Sequence, residues 1–276
     1  MSATVTFDVP TPGGPRPVTV SYARVGRGAP LLLLHGIGHH RQAWDPVVDI
    51  LATEREVISV DLPGFGASAA LPDGLGHDLA TTSRVFGALC AALGLDRPHA
   101  VGNSLGGLIA LELGRAQLVR SVTVFSPAGF WSPGERRYAF GVLLTMRHIA
   151  RRLPLPLVER LSRTAVGRTA LTSTVYARPG RRSPEAVVAE TLALAGAPGF
   201  DDTLRAGATV RFTDDVPAVP VTVAWGTRDV LLPRRQGVRA KRIIPRARLV
   251  RLPGCGHCPM NDDPALVARV ILDGSR

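Results

Sequence analysis

The sequence predicts an α/β architecture: a mostly parallel, doubly wound sheet interrupted by a helical insertion. Three observations carry that expectation. Short continuous apolar runs end at glycine, as Leu31-Leu32-Leu33-Leu34 does at His35-Gly36, the pattern of strands covered on both faces. These runs alternate with segments of helical spacing, the order that builds layered α/β domains. From about Gly129 to Arg205 the buried-strand pattern stops, and helical segments and prolines replace it.

Taken in order, residues 18–22 alternate apolar and polar side chains, as a half-exposed strand does. Residues 31–34 form a buried strand, residues 44–52 a helix, and residues 57–60 a second buried strand ending in Asp61-Leu62-Pro63-Gly64-Phe65-Gly66. Residues 77–93 are helical, with Gly94 as the stop signal. A strand at 99–101 leads into Ser104, followed by a helix at 105–115 and a strand at 121–125. Beyond Pro127, residues 138–152 and 184–195 read as helices. The sheet pattern resumes at 219–225 and 248–252, and a helix at about 264–272 closes the chain. The expected domains are therefore a first core part, 1–128, a helical cap, 129–205, and a second core part, 206–276. With 276 residues, one large core plus an insertion is expected rather than two independent domains.

Composition excludes several classes. No apolar stretch approaches the ~20 residues of a membrane span. Residues 1–5 lack the basic-then-apolar pattern of a secretion signal, so cytoplasmic residence is the default expectation. The net charge is +11, nearly all of it arginine, since Lys241 is the only lysine. Neither zinc-finger spacing nor an RNA-recognition motif accompanies that charge, and no nucleic-acid partner is expected. Eleven arginines face four glutamates between Gly129 and Gly199. A solvated amphipathic face is the preferred reading of that excess. The alternative is a basic rim that attracts anionic substrates or a membrane surface. Cys255-Gly256-His257-Cys258 has the C-x-x-C spacing, but it lies too near the end of the sequence to open a thioredoxin-like domain. No second Cys/His pair lies nearby to complete a zinc site, so neither a metal nor any other cofactor is expected.

Ser104 occupies the G-x-S-x-G run Gly102-Asn103-Ser104-Leu105-Gly106, a strand-to-helix turn with a serine at its apex. A serine hydroxyl becomes nucleophilic only beside a base, usually a histidine oriented by a carboxylate. Only His148 and His257 follow Ser104 in the chain. His148 falls between Arg147 and Arg151 on a helix, a setting for a solvated side chain. His257 falls in a glycine-rich loop directly after a strand, where open α/β sheets present functional groups. The preceding strand ends in Gly226-Thr227-Arg228-Asp229, which makes Asp229 the acid. Asp201, Asp202, Asp214 and Asp215 suit helix capping and solvent better. An acid placed after the strand ending at Phe125 is excluded, because that position reads Ser126-Pro127-Ala128. The backbone N–H groups of Ile37 and Leu105 are the expected oxyanion donors, and His35 is expected to bond loop backbone.

These runs resemble those of the α/β-hydrolase superfamily along nearly the whole chain: His35-Gly36-Ile37-Gly38 with Trp44, Asp61 to Ser68, Gly102 to Gly107, Gly226 to Asp229 and Gly254 to His257. The resemblance implies the α/β-hydrolase fold, a structural role for Asp61, and a Ser104–Asp229–His257 triad. A serine at the elbow favours an esterase acting on a small or medium apolar acyl substrate over relatives with an aspartate there. The Asn103 variant also resembles carbon–carbon bond hydrolases of ring-cleavage products. In those relatives an aromatic residue follows the histidine, where this chain has Cys258. A non-catalytic ligand-binding member of the fold is the third reading. The expected partner is a small-molecule ester.

Overall fold

The computed structural model describes residues 2–276. Eight strands form one sheet in the order β1-β2-β4-β3-β5-β6-β7-β8. β1 (Ser2–Val9) and β2 (Arg16–Val25) are an antiparallel pair, and β2 lies antiparallel to β4 (Arg55–Val60). From β4 onward, through β3 (Ala29–Leu34), β5 (His99–Asn103), β6 (Ser121–Phe125), β7 (Val221–Gly226) and β8 (Arg248–Leu252), every pairing is parallel. The central strands β5, β6 and β7 are buried at every position, as expected of strands covered on both faces.

The period of two sorts β3 between the layers. Leu31 and Leu33 pack with Trp44 and Val47 on one face, beside α1 (Asp45–Ala52). Leu32 and Leu34 pack on the other with Val85 and Phe86 of α2 (Leu79–Ala92) and Leu108 of α3 (Leu105–Arg115).

Between β6 and β7 lie five α-helices: α4 (Pro133–Arg152), α5 (Leu155–Ser162), α6 (Ala165–Thr172), α7 (Pro184–Gly196) and α8 (Phe200–Gly207). α9 (Arg235–Ile243) joins β7 to β8, and α10 (Pro259–Asp262) and α11 (Pro264–Gly274) follow β8. α4 starts five residues before the periodicity suggests, because Ser132 and Glu135 form a reciprocal capping box. Glu135 also pairs with Arg235 and Arg239, fastening α4 to α9. Among the described residues no helix is long and apolar enough to cross a membrane.

Candidate active site

β5 delivers the chain to Ser104, whose backbone sits at φ 55° and ψ −114°. That region costs a non-glycine residue roughly 1–3 kcal/mol and persists only where its surroundings enforce it. Three hydrogen bonds do so: Ser104 N–H donates to Phe125 O at 3.0 Å, and Leu108 N–H and Ala128 N–H donate to Ser104 O at 3.1 and 3.0 Å. The flanking glycines are a steric necessity. A Cβ on Gly102 would lie 2.0 Å from Gly106 O, and one on Gly106 would lie 2.1 Å from Leu34 O. The bend therefore lifts the serine above the sheet at the carboxyl end of β5.

Asp229 and His257 come from the loops after β7 and β8. His257 Nδ1 and Asp229 Oδ2 are 2.9 Å apart, with both side chains almost fully buried. The N–H groups of Leu231 and Leu232 donate to Asp229 Oδ1 at 3.0 and 2.8 Å, which fixes the carboxylate plane. A carboxylate only accepts, so the imidazole carries its proton on Nδ1, leaving the Nε2 lone pair free as a base. Ser104 and His257 line one cavity of about 80 Å³, with no hydrogen bond between their side chains among the described residues.

The N–H groups of Ile37 and Leu105 have no hydrogen-bond partner among the described residues. Gly106 N–H donates to His35 O at 3.1 Å, tying the start of α3 to the loop after β3 that carries Ile37. Both residues, with Ser104, line a second cavity of about 50 Å³. His35 accepts from Leu62 N–H on Nε2 at 3.0 Å and donates from Nδ1 to Gly36 O at 2.7 Å. Burial lowers its pKa to about 4 despite the Gly36 bond, so it stays neutral and holds this loop to the one after β4. Asp61 is fully buried and accepts from the N–H groups of Arg41 and Ala67 at 2.6 and 3.1 Å, away from Ser104.

Two further residues fix the histidine loop: Asn103, which the sequence marked only as an elbow variant, and Asp262, which it did not mark. Asn103 Nδ2 donates to Phe125 O at 3.0 Å and to His257 O at 2.9 Å. Asp262 Oδ2 accepts from Gly256 N–H at 2.7 Å and Ala177 N–H at 3.0 Å, while its Oδ1 accepts from Arg178 N–H at 2.7 Å. Asp262 thus pins the loop after β8 to the segment after α6. The sole sequence signal for it was an acid five residues beyond the candidate histidine. Cys255 and Cys258 are free and buried. Burial, with Asp262 and Asp263 nearby, pushes the Cys255 thiol up to about 12, and burial raises Cys258 well above its ordinary value, opposite to what a reactive thiolate needs. His148 is on α4, hydrogen-bonded to Arg152, and lines neither Ser104 cavity.

A strained serine apex, a closed Asp–His pair and two free N–H groups at the carboxyl ends of parallel strands define a class of α/β fold. The family model of the alpha/beta hydrolase family matches residues 31–270. An uncharacterised protein of Mycobacterium tuberculosis is 30% identical over 265 residues, covering 89% of this chain and 75% of that protein. The pimeloyl-[acyl-carrier protein] methyl ester esterase of Nitrosomonas europaea is 31% identical over 254 residues, covering 87% of this chain and 92% of the esterase. Among solved structures, a thermophilic esterase from Thermogutta terrifontis superposes with a TM-score of 0.76 at 22% identity, over 98% of this chain and 97% of that one. The chain belongs to the alpha/beta-hydrolase family.

Proposed function

We propose that the protein is a serine esterase that cleaves a carboxylic ester of a small or medium apolar acyl group through an acyl-enzyme. In this reading Ser104 Oγ attacks the ester carbonyl as His257 Nε2 takes its proton. The N–H groups of Ile37 and Leu105 donate to the oxyanion. His257 then returns the proton to the departing alcohol oxygen, and water repeats the sequence to release the acid. Asp229 holds the imidazole in the tautomer that makes Nε2 the base.

The observation that carries this reading is a set of groups on cavities that share Ser104: the serine, His257 with its 2.9 Å Asp229 partner, and the unpartnered N–H groups of Ile37 and Leu105. The esterase relative at 31% identity supports it. The cavity that Ser104 shares with His257 includes no arginine among its lining residues, and the buried Arg182 nearby is held by Glu190. A carboxylate-gripping arginine is thus missing from the cavity, which disfavours the carbon–carbon hydrolase alternative. The helices α4 to α8 act as the cap, with Leu143, Met146, Leu171 and Leu194 roofing the serine.

A fluorophosphonate probe tests the nucleophile. It is expected to label wild-type protein on Ser104 and to leave Ser104→Ala unlabelled, with turnover of an activated short-chain ester falling by about 10⁴-fold or more in the variant. Unchanged turnover in Ser104→Ala contradicts the mechanism.

A further inference from the structure

Ser104 stands between two cavities of different character. The smaller one is walled by apolar side chains, including Leu108, Trp131, Phe140 and Leu232. The other is lined by His257, His39, Thr172, Thr191 and Glu190 beneath the apolar roof of Leu143, Met146, Leu171 and Leu194. His257 lines the second and not the first. A general acid must reach the oxygen it protonates. The leaving alcohol of an ester therefore belongs in the second cavity and the acyl chain in the first.

Glu190 is the unusual group in the alcohol cavity. It is carried by α7 and is only 9% exposed. Its Oε1 accepts from Tyr176 Oη at 2.9 Å and from Arg182 Nε at 2.7 Å, with Arg182 Nη2 bonded as well. Its Oε2 has no hydrogen-bond partner among the described residues, yet it is not one of the polar atoms sealed from solvent. Glu190 is one of the residues lining the second cavity, and its solvent-reached Oε2 is an acceptor to which no described residue donates.

The surrounding groups fix what that donor is. His40 N–H donates to His39 Nδ1 at 3.0 Å, so the His39 proton is on Nε2, 3.1 Å from Tyr176 Oη. Tyr176 in turn donates to Glu190. Both donors of this chain are consumed, which leaves no donor there for an anionic substrate. Burial keeps His39 neutral, its pKa well below the ordinary value, and burial together with Glu190 keeps the Tyr176 phenol protonated. Arg182 already balances the Glu190 charge, so a neutral hydroxyl suffices as the missing donor and a cation is not required.

We infer that Glu190 selects esters whose leaving alcohol carries a second hydroxyl, a diol or polyol, by accepting that hydroxyl's hydrogen bond on Oε2. This deepens the esterase reading and rests on the leaving group lying beside His257. Propyl butanoate and 3-hydroxypropyl butanoate test it, with acid release followed by pH-stat. Both give the same acyl-enzyme, so the ratio of their kcat/KM values reports the alcohol half alone. The hydroxyl ester is expected to be favoured by about tenfold or more. In Glu190→Gln a neutral amide N–H2 replaces the charged acceptor, and the ratio is expected to fall by about threefold or more, with any effect shared through the oxyanion loop cancelling in it. A wild-type ratio near one overturns the inference. So does a ratio retained in Glu190→Gln, or a preference for an ester whose alcohol carries a carboxylate. Should Glu190→Gln fail to fold, Glu190→Asp, which withdraws the oxygen, is expected to lower the same ratio.

A binding arm separates this inference from the esterase reading. Calorimetry on Ser104→Ala compares the ethers 3-butoxypropan-1-ol and butyl propyl ether, neither of which can react. Tighter binding of the hydroxyl ether by about tenfold supports the Glu190 site even if no ester is turned over. Equal binding overturns it even if esters are cleaved.

Discussion

The two sides of the site are held in different ways. On the sheet side, Ser104, Ile37, Asp229 and His257 sit on loops immediately after β5, β3, β7 and β8, and backbone hydrogen bonds set most of their geometry. On the helical side, Tyr176, Arg182 and Glu190 meet His39 through side chains from separate segments, and Asp262 ties residues 177–178 to the histidine loop. The difference teaches that the candidate catalytic groups are positioned mainly by backbone at the carboxyl edge of the sheet. The helical side is joined to it by side-chain contacts between segments distant in the chain.

That contrast makes unequal predictions. The largest effect belongs to the sheet side: Asp229→Asn is expected to fold normally and to lose about 10² to 10⁴ in kcat, because the imidazole loses its tautomeric partner. A circular dichroism spectrum with steady-state kinetics checks both halves, and a kcat within threefold of wild type would break the comparison. On the helical side, Tyr176→Phe removes only the hydroxyl joining His39 to Glu190. It is expected to lower kcat by less than about tenfold and stability by about 1–2 kcal/mol. Fluorophosphonate labelling of Ser104 should persist in that variant. A loss as large as that of Asp229→Asn would mean that the helices build the reaction geometry after all.

A last effect, on stability rather than turnover, is in pH. His35 has a folded pKa of about 4, below its unfolded value of ~6.5, so the unfolded chain binds the proton first as pH falls. Its contribution is fully present above about pH 6.5 and is lost progressively as pH falls toward 4. It is on the order of 3 kcal/mol for a fully buried imidazole. Urea midpoints measured from pH 7 to 4.5 are expected to decline over that window, and a flat profile would remove His35 as the neutral tie between the loops after β3 and β4.

Legibility followed the same division. The run Gly102 to Gly106 was readable because a steric requirement is local: any side chain on Gly102 or Gly106 would strike backbone about 2 Å away. The parallel strands were readable because burial on both faces writes an unbroken apolar run. β1 was missed, although Phe7 and Val9 alternate inward, because that strand is half-exposed and takes its place only by pairing with β2. α5, α6 and α8, of eight residues each, were not separately assigned within the helical insertion. Glu190 lies within the helix read at 184–195, and no local pattern sets it apart. What distinguishes it is burial beside Tyr176 and Arg182, both of which precede it in the chain by at least eight residues.

The sequence by itself determined the α/β core, the strand-to-helix turn at Ser104, and the candidates Asp229 and His257. Each depends on residues within a few positions of one another, where sterics and periodicity act directly. Only the tertiary structure decided that Asn103 and Asp262 hold the histidine loop, that two cavities share Ser104, and that Glu190, lining the second, has one oxygen without a partner among the described residues. Those facts depend on contacts between segments far apart in the chain, and chain order carries no local signal of which side chains will meet.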